Sequence, residues 1–177
     1  MNKREKRDQK IRFWLPVVVA WIWALAIPTF FFWDTFVQLA TKNPLTGEVD
    51  YTEMTFRELG QQHDAMVEIG GRGFALFPQV RALLWGVMIV ASLVALLCTV
   101  TRLNRTGKYA WYAAIGAVVL ALLSVLTFVL SVLFSFEATS EASTYLLWTA
   151  AFFCPGCGLA TAIVTFLVSR GKLNSEP

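Results

Sequence analysis

Four long apolar runs set the pattern of this chain. Residues 13–33, 79–101, 109–134 and 144–169 are apolar almost throughout, and Arg81, at the edge of the second run, is the one charged side chain in them. At about 1.5 Å per residue the first run reaches roughly 30 Å, one bilayer core. Polar stretches separate the runs. The pattern predicts an all-α polytopic membrane protein: a basic segment over 1–12, a domain of four transmembrane helices over 13–169, and a polar tail over 170–177. One large extracytoplasmic loop, 34–77, joins the first two spans.

That loop has its own signals. Asn43-Pro44-Leu45-Thr46-Gly47 reads as a turn. Thr52 is a candidate cap for a short amphipathic helix from Glu53, with Phe56, Leu59, His63, Met66 and Val67 on one face. Gly70-Gly71-Arg72-Gly73 ends it, and Pro78 suits the first turn of the next helix. The first span begins like a signal peptide, with Ala24-Leu25-Ala26 as a possible cleavage site. The apolar run continues to Trp33, so it reads as an uncleaved span that Pro16 and Pro28 bend.

Charge adds an orientation. Lys and Arg number six in 1–12, three in 102–108 and two in the tail, so eleven of the fifteen lie on one side. The positive-inside rule puts that side, with both termini, in the cytoplasm of a plasma or bacterial inner membrane. Trp33, Tyr145 and Trp148 then form the outer aromatic belt, and Phe30-Phe31-Phe32-Trp33 faces lipid or a partner helix. The basic residues flank apolar runs, so the partner they imply is the lipid bilayer. No nucleic-acid-binding motif is present.

Candidate chemistry is sparse. The spans hold no Asp, Glu or His, which disfavours proton relays and ion-coupled transport. His63 is the single histidine, and no catalytic constellation accompanies it. Cys98 and Cys157 are offset by roughly 13 Å along their helices, too far to share an ion bound at about 2.3 Å. No metal or cofactor is expected. The motif Cys154-Pro155-Gly156-Cys157 sits inside the fourth span. Four spans with a Cys-x-x-Cys in the last resemble the vitamin K epoxide reductase family and the DsbB-type thiol oxidases. The resemblance implies a redox alternative in which Cys154 and Cys157 face a quinone. Those families also carry a loop cysteine pair, and the first loop here has none. The favoured reading is a proline-kinked helix with small buried cysteines that stay reduced.

A helix-packing seam is the other candidate. Ala110, Ala114, Ala117, Ala121, Ser124, Phe128, Ser131 and Ser135 recur in steps of four and three along the third span. The fourth span offers a facing stripe: Ala150, Cys154, Cys157, Gly158, Thr161 and Thr165. Small residues at this spacing let helices approach in lipid. Close approach is expected from Ala110 to Ser124, with Ala117 and Ala121 against the Cys154–Thr161 face, and with Val118 and Leu120 off the stripe. The expected function is a non-catalytic subunit or accessory of a membrane assembly, with a protein partner or a second copy. An oligomeric pore lined by Ser and Thr is a further alternative.

Overall fold

The computed structural model describes residues 3–71, 73–104, 107–140 and 143–173. Arg72, Arg105, Glu141, the tail beyond Leu173, and the side chains of residues 3–10 and of Arg12 lie outside that description. Four helices are long and apolar enough to cross a membrane, the architecture of a polytopic membrane protein. They are α1 (Lys3–Trp33), α3 (Phe77–Leu103), α4 (Ala110–Ala138) and α5 (Thr149–Leu173). Between them fall β1 (Thr35–Lys42), β2 (Val49–Thr55), the short α2 (Phe56–Glu68) and β3 (Ser143–Leu147).

The all-α expectation therefore needs correction. The polar loops build an antiparallel three-stranded sheet in the order β2-β1-β3. Leu39 at its centre pairs with Thr52 on one side and Tyr145 on the other. The β1–β2 hairpin closes where a turn was expected. Asn43 Oδ1 accepts from Leu45 N at 2.9 Å, and Gly47 takes φ +73°, which glycine adopts without steric cost. Together with α2, the sheet forms a cap over one end of the bundle. α1 begins and α5 ends toward the opposite end, the terminal end.

Three boundaries move for identifiable reasons. Residues 49–55 extend as β2, so the α2 cap is Thr55, not Thr52. Thr55 and Glu58 form a reciprocal capping box, Glu58 N donating to Thr55 Oγ1 and Thr55 N to Glu58 Oε2. The expected loop 135–143 is partly helix, because α4 continues to Ala138. The expected fourth span begins with strand β3, and α5 starts at Thr149. The basic segment also does not stand apart, since α1 runs from Lys3.

In the bundle α3 and α5 each pack on the three other spans, and α5 is the more buried of the two. α5 stands out in extent. Half of its membrane window is buried, against 28% for α1 and 33% for α3 and α4. The greater burial of α5 is reached through small side chains on several faces. That accounts for Ala150, Ala151, Cys154, Cys157, Gly158 and Ala162 all being buried on α5. The helix assignment continues through Pro16, Pro28 and Pro155.

Candidate functional site

The seam residues meet in part, and not all where the sequence suggests. Ala110, Ala114, Ala117, Ser124, Cys154, Cys157, Gly158 and Thr161 are buried. The tightest crossing is at Gly158, which fits against Ser124 of α4 and Val87 of α3. A Cβ there would collide with Ser124 Oγ and come within 3.0 Å of Val87 Cγ1. One to two turns toward the terminal end, Ala117 and Ala162 are still buried, while Ala121 is half-buried. Ala117 and Ala121 line an apolar lipid-facing cleft of about 250 Å³ with Ala162, Ile163 and Phe166. Within the expected faces, Ala110–Ser124 and Cys154–Thr161, the close approach seen is at Ser124 and Gly158, and Ala117 and Ala121 border the cleft beside it. The buried stripe of α4 also rotates by one position: Leu120, Thr127 and Phe134 are buried, while Phe128 is partly exposed and packs on Phe152. Leu120, expected off the stripe, has no exposure at all.

The motif cysteines occupy different neighbourhoods. Cys154 points to α1, its thiol donating to the Ile27 carbonyl at 3.6 Å, one residue before Pro28. Cys157 lies one turn on, beside the Gly158 crossing. Both are free thiols with 1% exposure, and Cys98 is a free thiol with none. Among the described residues no group of three or more His, Cys, Asp or Glu side chains is placed to hold a metal ion.

Hydroxyls inside the spans mostly bond to their own helix. Thr127, Ser131 and Thr161 each donate to the carbonyl four residues back, at 2.7–2.9 Å. Such bonds satisfy a hydroxyl where no water can. Trp21 Nε1 donates to Thr99 Oγ1 at 3.0 Å, tying α1 to α3. Among the described residues Ser124 Oγ, at the Gly158 crossing, is buried without a hydrogen-bond partner.

The cap end is chemically richer, and sequence patterning missed most of it. Phe56 is its hub: its ring lies 4.8 Å from Phe31 of α1, 5.0 Å from Phe36 of β1 and 5.2 Å from Phe77 of α3. Phe74, Phe134 and Tyr145 extend the cluster, with centroids 5.4–6.4 Å apart. Tyr145, expected in the interfacial belt, is buried here. Its hydroxyl accepts from Gln62 Nε2 at 3.3 Å, and burial pushes the phenol pKa up. Phe31 turns inward and Phe30 stacks on Phe153 at 4.9 Å, while Phe32 and Trp33 stay exposed. His63 packs at a tilt on Phe77, with ring centroids 5.1 Å apart, and accepts from Phe74 N at 3.0 Å, which makes it a pin between α2 and the start of α3. Glu137 in the last turn of α4 accepts from Ala75 N and Leu76 N at 2.8 and 3.0 Å. That carboxylate satisfies amides at the N-terminus of α3. The capping box holds the Glu58 carboxyl below its ordinary value, first through the Thr55 amide and then through the Thr55 hydroxyl.

The water-facing surface of the cap is unusual. Sheet order leaves β2 an edge strand, and its exposed face carries Val49 and Tyr51, with Leu45 at the hairpin tip 94% exposed. Compared with known proteins, the chain matches no family model, no curated protein and no solved structure.

Proposed function

We propose that the protein is a non-catalytic component of a plasma or bacterial inner membrane, with both termini cytoplasmic, serving a larger assembly as a subunit or accessory. In this reading the bundle is the anchor and the extracytoplasmic cap is the working surface. One observation carries it: β2 is an edge strand with exposed Leu45, Val49 and Tyr51 beside it. Edge strands recruit other chains through their free backbone groups, and β-strand addition is a recurring recognition mode. Exposed apolar side chains clear of the spans point the same way. The orientation follows from the Lys and Arg asymmetry.

A photo-cross-linking residue at Tyr51, in intact cells, tests the proposal. A single discrete adduct is expected from Tyr51. None is expected from a control at Ile163, which faces the lipid side of α5. Its mass separates a second copy from a different chain. No adduct from Tyr51, or equal adducts from both positions, would refute docking through the hairpin.

A further inference from the structure

A cleft of about 290 Å³ opens where α1 ends, α3 begins and α2 crosses between them. Its wall is aromatic: Phe31, Phe32, Phe56 and Trp85 line it, with Trp85 5.4 Å from Phe31 and 5.9 Å from Phe32 between ring centroids. Its rim is ionic. Arg57, Gln61 and Asp64 of α2 and Arg81 of α3 line the same space. Positions 57, 61 and 64 fall on one helix face, and Arg57 and Asp64 are roughly 10 Å apart along the axis. Among the described residues neither arginine nor Asp64 engages in an ion pair or a hydrogen bond. The cleft therefore offers two guanidinium groups and one carboxylate, all available, over an aromatic floor at the membrane boundary.

We propose that this cleft binds the headgroup of a zwitterionic phospholipid, with the phosphate on Arg57 and Arg81 and the ammonium group toward Asp64. Charge complementarity carries the choice. Guanidinium groups match phosphate oxygens through paired hydrogen bonds. A purely anionic headgroup would leave Asp64 facing like charge, whereas an ammonium group two carbons from the phosphate neutralises it. The exposed rings of Phe32 and Trp85 add favourable cation–π faces for that ammonium group. The position argues for a lipid over a soluble zwitterion: the same two rings, 43% and 41% exposed, continue onto the lipid-facing surface of α1 and α3, where acyl chains would lie.

The test is native mass spectrometry of the full chain released from vesicles of equal parts phosphatidylethanolamine and phosphatidylglycerol. The wild type should retain phosphatidylethanolamine in preference to phosphatidylglycerol. Arg57→Gln combined with Arg81→Gln should lower retention of both lipids by at least about tenfold, the loss of one or more charge-assisted hydrogen bonds. Asp64→Asn should abolish the preference and leave total retention nearly unchanged. This carboxylate is exposed and unpaired, so its variant keeps the test valid even if the double variant folds poorly. Preference for phosphatidylglycerol in the wild type, an Asp64→Asn protein with undiminished headgroup selectivity, or equal retention by a folded double-arginine variant would each overturn the proposal.

Discussion

The two ends of the molecule solve packing in opposite ways. At the cap end, strands, a short helix and two chain reversals meet four spans, and large rings fill the irregular space: Phe31, Phe36, Phe56, Phe74, Phe77, Phe134 and Tyr145 are all buried there. In the middle and toward the terminal end, helices approach through Gly158 and Ser124, with the small residues Ala117 and Ala162 buried beside the cleft. Rings suit the first setting because each contributes a large buried area and tolerates several mutual orientations. Small residues suit the second because lipid supplies little drive for burial, so contact depends on close backbone approach. The comparison makes opposite demands on mutation. The cap should suffer from losing volume, and the Gly158 crossing from gaining it.

The largest effect is expected at the cap. Phe56→Ala removes the ring that joins α1, β1 and α3, and should cost about 3–5 kcal/mol. Resistance to SDS-induced unfolding measures it. A cost near that of a surface substitution would mean that the cap and the bundle are not joined there. The next effect is at the crossing. Gly158→Ala should cost about 1–3 kcal/mol, since the new methyl meets Ser124 and Val87. Adding Ser124→Ala removes the colliding hydroxyl and should restore part of the loss. No restoration in that double variant would move the crossing elsewhere.

A third substitution sharpens the contrast within α4 itself. Ala121 borders the open cleft, not the crossing, so Ala121→Leu should project into lipid-filled space and change stability by less than about 0.5 kcal/mol. The stripe in the sequence treats Ala121 and Ser124 alike, and a cost for Ala121→Leu as large as that for Gly158→Ala would favour the stripe. The smallest effect concerns pH. Glu58 is held below its ordinary value in the folded state, so its contribution is present at neutral pH and fades as pH falls through that lowered value. The stability difference between wild type and Glu58→Gln should therefore close in acid. A gap that persists or widens there would rule out the charged capping box.

These contrasts also show what the sequence made legible. Four spans were plain because charge is excluded over lengths that match a bilayer, and the membrane window of α1, Phe13–Trp33, begins and ends where that exclusion does. The sheet was hidden for a different reason. β3, Ser-Thr-Tyr-Leu-Leu, runs into the apolar residues of α5, and over so short a run apolar character does not separate a strand from a helix start. β1 follows α1 after a single residue, so the change of period leaves too little chain to register. At the crossing, the spacing of small residues marked the two faces that meet, and Ser124 and Gly158 belong to them. It did not mark Val87 of α3 as the third contact, because α3 carries no such stripe and its approach depends on the whole bundle. Of the aromatic hub the pattern marked Phe56, on one face of the loop helix, and a cluster of rings flanking a loop is the signal that would have found Phe74 and Phe77.

Docking through β2 is the central claim, and hydrogen exchange tests it most directly. β1 is paired on both sides, to β2 and β3, and serves as an internal standard. Exchange is read by mass spectrometry for residues 35–42 and 49–55, in native membranes and in the purified protein. Residues 49–55 should exchange markedly more slowly in native membranes, where a partner can cover the edge, while residues 35–42 stay equally protected in both. Identical exchange of residues 49–55 in the two preparations would contradict the account.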